Sequence, residues 1–189
     1  PLAGLRHRLG YETTVVKTSE IPGGATTTNI KAYIQDAYDN WPVPPTFVLL
    51  VGDSGQIPVF IGGSSGSAAD VYYGSMDGSG DWVPDIYMGR FSCDTEAEVA
   101  LLTDKTVKYI RFALSSGTDW VDNATFMASS DNYTVSEGTH NYCISNWVEP
   151  DGYAVQKRYS VTYSATTAQV IGDINAGLSM LTYSGHGSV

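Results

Sequence analysis

Thr46-Phe47-Val48-Leu49-Leu50-Val51-Gly52-Asp53 decides the fold class. Its apolar run stands between Pro45 and Gly52. A run this short between turn formers reads as a strand, and its unbroken apolarity reads as burial on both faces of a parallel sheet. Upstream, Ile30, Tyr33, Ile34, Ala37, Tyr38 and Trp41 recur at helical spacing over Thr28 to Asn40, and Pro42, Pro44 and Pro45 end that helix. Further back lie a short amphipathic helix over 2–9 and a strand expected over Tyr11 to Lys17, centred on Val15 and Val16. Downstream the rhythm repeats. Strands are expected over Asp85 to Phe91, Asn123 to Ala128, Tyr153 to Tyr159 and Leu178 to Tyr183. Helices are expected over Asp94 to Phe112 and Val135 to Val148. A further helix opens on a Thr166/Gln169 capping box and closes at Gly177. This alternation predicts an α/β fold: a three-layer sandwich with a mostly parallel sheet and helices on both faces. Residues 1–189 read as a single α/β domain.

Composition narrows the function. Ten Lys and Arg against twenty Asp and Glu leave a net charge of −10. That charge repels phosphate backbones and anionic lipid, so no nucleic-acid partner is expected. It suits cationic substrates. No apolar run approaches the roughly 18 residues of a membrane helix, so no membrane span is expected. Cys93 and Cys143 can form neither a disulfide framework nor a zinc site by themselves. Few lysines and many Gly, Ser, Thr and Tyr point to a secreted or cell-surface protein.

Ligands of open parallel sheets gather beyond the carboxyl ends of the strands. Two such ends carry polar groups among glycines: Val51-Gly52-Asp53 and Tyr183-Ser184-Gly185-His186-Gly187. A histidine there can serve as general acid or base near neutral pH, and a carboxylate at a neighbouring strand end can orient it. Plainer roles also fit: His186 as a strand cap and Asp53 as a turn cap. His7 lies in a solvated Arg-His-Arg stretch, and His140 is expected to face solvent or make one hydrogen bond. Cys143 shares an apolar stripe with Trp147 and reads as a buried structural thiol. Cys93 follows a strand and begins a helix, where the dipole can activate a thiol. The loop Asp77-Gly78-Ser79-Gly80-Asp81, with Asp85 nearby, offers oxygen ligands of the kind Ca²⁺ takes, although its spacing is not that of an EF-hand and such loops are common turns.

Four stretches in register, Phe47–Asp53, Ala69–Tyr73, Gly89–Cys93 and Tyr183–Ser188, resemble the gingipain-like cysteine peptidases. The resemblance runs over almost the whole chain and implies a caspase-like α/β fold. It also implies roles. His186 is similar to the catalytic histidine, Asp53 to the acidic group that orients it, and Gly187 to the residue whose backbone N–H helps form the oxyanion hole. Asp70 resembles an aspartate that receives the P1 side chain in arginine-specific members. Ser184 stands where the family usually carries Thr in the wall of that pocket. Structural Ca²⁺ on Asp77, Asp81 and Asp85 is a further implication, and no cofactor is expected for catalysis. The family nucleophile is a cysteine at the end of the following strand, so it is expected beyond residue 189, in a C-terminal part of the catalytic domain.

The resulting expectation is a bacterial, secreted cysteine endopeptidase that hydrolyses polypeptides by a Cys/His mechanism, after basic P1 residues. The 189-residue piece alone is expected to be inactive. Two alternatives stay open: a sortase-like processing transpeptidase of the same family, and a non-catalytic surface or adhesive domain that keeps the fold.

Overall fold

The computed structural model describes residues 1–62, 66–78, 80–81, 83–112 and 117–186. Two compact units emerge, Pro1–Leu114 and Ser115–Val189.

The first unit contains the apolar run as β1 (Phe47–Val51), which pairs in parallel with β4 (Tyr87–Phe91), Phe47 opposite Tyr87 and Val51 opposite Phe91. Before β1 come α1 (Leu2–Arg8) and α2 (Thr27–Asn40), the latter started by Thr26, whose hydroxyl accepts from the Asn29 N–H at 3.1 Å. Ile30 and Ile34 of α2, Leu50, Ile57, Tyr73, Met76 and Ile86 form the core. The long stretch between β1 and β4 is less irregular than its composition predicts. It contains an antiparallel pair, β2 (Phe60–Gly62) and β3 (Ser67–Ala69), and one helical turn at Val71–Tyr73. After β4, α3 (Glu96–Ile110) begins on a reciprocal Thr95/Glu98 capping box.

Two expectations fail in this unit. Tyr11 to Lys17 forms no strand among the described residues, and Val15 is 73% exposed. β propensity is a fit to a pleated, paired surface, and no neighbouring strand pairs with this segment. Nor is β1 buried on both faces. Leu50 is buried, whereas Phe47, Leu49 and Val51 are exposed. Phe47 instead stacks on Tyr87 at 5.2 Å and meets the edge of Tyr11 at 6.0 Å.

In the second unit β5 (Asn123–Ala128) lies between β6 (Ala154–Tyr159) and β7 (Met180–Ser184), all parallel. The connections are α4 (Tyr133–Cys143), extended by a wider turn over Ile144–Val148, and α5 (Thr167–Ala176). From the central strand, α4 leads to one neighbour and α5 returns to the other. Right-handed crossovers therefore put the two helices on opposite faces. Side-chain alternation agrees. Ala124, Phe126 and Ala128 pack with Ile144 and Tyr159, while Thr125 of the other face donates to Asp173 of α5 at 3.3 Å. The Thr166/Gln169 capping box is present as read. Arg158 of β6 grips both Asp173 oxygens, at 2.7 and 2.6 Å, and fastens α5 to the sheet.

His140 corrects a third expectation. It is 6% exposed, set edge-to-face on Phe126 at 5.3 Å, and its Nδ1 finds no partner among the described residues. Burial pushes its pKa below the usual 6.5. Asp173 is held below 3.8, chiefly by the hydrogen bonds from Arg158. Both shifts are depressions, so both contributions to stability are complete above the unfolded values and fade as pH falls. The melting temperature is expected to be flat above about pH 7, to decline as pH drops below the 6.5 of free histidine, and to fall again below the 3.8 of free aspartate. Thermal melts across this range check it; a His140→Phe variant should lose the first decline and keep the second.

Candidate active site

The carboxyl ends of β5 and β7 meet in one ladder. Ala128 lies opposite Ser184, and the Ser129 N–H donates to the Ser184 carbonyl at 3.0 Å. Beyond that rung the two chains diverge into short polar segments. From β5, the Ser129 hydroxyl donates to Asp131 Oδ2 at 2.9 Å and accepts from the Asp131 N–H at 3.1 Å. From β7, the Tyr183 hydroxyl donates to the His186 carbonyl at 3.0 Å. Gly185 has room for no side chain. A Cβ there would fall 2.6 Å from Ser129 Oγ and closer still to the Tyr183 hydroxyl.

The result places His186 Nδ1 3.7 Å from Asp131 Oδ2. That is an ion-pair distance, longer than a hydrogen bond. Both side chains are solvent-accessible, His186 at 88%. A carboxylate facing one ring nitrogen leaves the other free to exchange a proton with a substrate. Catalytic hydrogen bonds are often long before substrate is bound and tighten in the complex.

Asp131 is the site residue that the sequence reading misses. A signal was available: it sits three residues past the end of a strand, where the rule for open sheets puts ligands. Asp53, the acid expected beside His186, belongs to the first unit. There Ser92 Oγ donates to its Oδ1 at 2.6 Å, and its own N–H donates to Gln56 Oε1 and the Cys93 carbonyl, both at 3.0 Å. The Ser92 hydroxyl and the Ser54 N–H hold its carboxyl below the usual 3.8. It stands as an ionised group just past β1, with partners of its own.

Asp70 is fully engaged. Arg90 Nε and Nη2 each reach one of its oxygens at 2.7 Å, while Arg90 Nη1 donates to the Gly52 and Ile57 carbonyls. A basic P1 side chain would have to displace this fork. Ser184 ends β7 half-buried, and Gly187 lies outside the described residues.

The calcium expectation does not fit the acidic loop. Asp81 accepts from the Asp77 and Val83 N–H groups, and Asp85 Oδ2 accepts from the Met76 N–H at 2.7 Å. Among the described residues no three His, Cys, Asp or Glu side chains converge on a point a metal could occupy. Cys143, expected to be buried beside Trp147, is only half-buried, and Trp147 is exposed. Cys93 is buried with Sγ 3.2 Å from the Phe91 carbonyl, and the following helix starts only after Thr95, which removes the expected dipole effect.

Comparison with known proteins identifies the family to which this fold belongs. The model of peptidase family C25 matches residues 1–189. Gingipain R2 of Porphyromonas gingivalis is 28% identical over 189 residues, which cover 97% of this chain and 25% of the relative. Lys-gingipain of the same organism is 28% identical over 188 residues, covering 95% of this chain and 10% of the relative. The chain thus spans a quarter or less of these relatives. The crystal structure of the Arg-specific cysteine proteinase gingipain R superposes with a TM-score of 0.84 at 28% identity, over 99% of this chain and 43% of that one. The α/β architecture is therefore the gingipain one.

Proposed function

The chain belongs to peptidase family C25, and on that footing we propose that it is the histidine-bearing part of a secreted cysteine endopeptidase. The observation that carries the reading is the facing pair His186–Asp131 at the joined ends of β5 and β7. A thiolate attacks the scissile carbonyl, and the imidazolium gives its proton to the departing amine. Asp131, rather than Asp53, is the carboxylate this reading gives to His186, since it faces the ring within the same unit. The family resemblance gives the part of oxyanion donor to the Gly187 N–H. Such donors contribute roughly 3–4 kcal/mol to transition-state binding. Membership of the family gives the thiolate to a cysteine at the end of the following strand, beyond residue 189.

The substrate class is a polypeptide with Arg or Lys at P1. Supporting this are the names of the relatives, which include Arg-specific and Lys-specific enzymes, and the net charge of −10. Asp70 is not the acceptor in this reading, because Arg90 occupies both of its oxygens.

The test is a fluorogenic peptide library varied at P1. The full-length protein is expected to cleave after Arg or Lys, while the 189-residue chain alone gives no turnover. An optimum at Ala or Leu sinks the specificity, and turnover by the isolated chain sinks the placing of the nucleophile.

A further inference from the structure

Hydroxyls and a glycine surround the Asp131–His186 pair without taking part in it. Ser129 is the joint. Its N–H is tied to β7 through the Ser184 carbonyl, and its Oγ both donates to Asp131 Oδ2 and accepts from the Asp131 N–H. The oxygen that Ser129 holds is the same one that faces His186 Nδ1. Gly185 leaves the space that Ser129 Oγ and the Tyr183 ring occupy, and Tyr183 in turn holds the His186 backbone. An exposed aspartate has several rotamers of similar energy. One donor on Oδ2 and one acceptor for its own N–H select among them.

We propose that Ser129 is a positioning residue for peptide hydrolysis: it fixes the Asp131 carboxylate against His186, with Gly185 providing the room. This rests on the reading of the protein as a cysteine peptidase. Ser129 acts through the Asp131 carboxylate that it holds. Its effect therefore falls on the orientation of the ring in the transition state, and not on substrate binding.

The test uses the full-length peptidase and a good basic-P1 substrate. Ser129→Ala is expected to lower kcat about tenfold, with KM and melting temperature unchanged, since misplacing a catalytic group by a fraction of an ångström costs rate more than affinity. Ser129→Thr keeps the hydroxyl and should restore most of the rate. Unchanged kcat in Ser129→Ala, alongside a slowed Asp131→Ala, overturns the positioning role and leaves the peptidase reading intact. Loss of rate together with melting temperature, not rescued by Thr, makes Ser129 merely structural and also overturns it. Full activity of His186→Ala removes the peptidase reading itself.

Discussion

Alanine at His186 is expected to lower the kcat of the full-length protein by about 10³-fold, the middle of the range for a positioned proton-transfer group. The effect belongs to chemistry and not to folding. The ring is 88% exposed, so its truncation removes little buried surface. Melting temperature should therefore hold, and KM should move little, because the imidazole acts on the leaving amine and not on substrate side chains. Asp131→Ala is expected to cost less than His186→Ala, since the carboxylate works only through the ring. Steady-state kinetics on a single basic-P1 peptide decides the matter. If His186→Ala keeps more than a tenth of the wild-type rate, proton transfer by this histidine is not part of the reaction.

Methionine at Arg90 should lower stability by about 3 kcal/mol, the cost of removing one partner of a largely desolvated ion pair. Arg90 does more than neutralise Asp70. Its guanidinium spans four acceptors: both Asp70 oxygens and the carbonyls of Gly52 and Ile57. The side chains of the pair are only 13% and 28% exposed. Met fills similar volume but leaves those acceptors without donors in a place water reaches poorly. Thermal unfolding should shift down by roughly 10 °C, and a shift below about 2 °C would show that Arg90 is not a fastening. Lysine is not an adequate substitute, because a point charge with one donor group cannot span the fork. Arg90→Lys should fall between wild type and Arg90→Met.

The regular frame was legible in the sequence where the signal is local. β1, β5 and β7 follow from short, largely apolar runs between turn formers, and α5 from the Thr166/Gln169 pair at its start. The segment at 11–17 shows the limit of that method: Val15-Val16 has strand composition, but composition cannot supply a neighbour to pair with. His140 was misread because α4 is polar along most of its length, and a histidine among Thr, Asn and Tyr gives no sign that it packs on Phe126. The site was half legible. Gly-His-Gly at a strand end marks His186. Its carboxylate lies 55 positions earlier, on a different strand, and only the β5–β7 pairing brings the two together. Arg90 and Asp70, separated by 20 positions, escaped for the same reason, and that contact changes what Asp70 is available to do.

The rung between Ser129 and Ser184 also shapes how this protein tolerates change over evolutionary time. Everything between the two strand ends (a helix, a strand and a second helix) can lengthen, shorten or be replaced without moving acid against imidazole, provided β5 and β7 stay aligned. Deleting one residue inside β7 is another matter: it rotates every following side chain to the opposite face and parts the pair at a stroke. Long insertions in the intervening loops and a nearly length-invariant β7 are the pattern that lineages descended from this chain should carry.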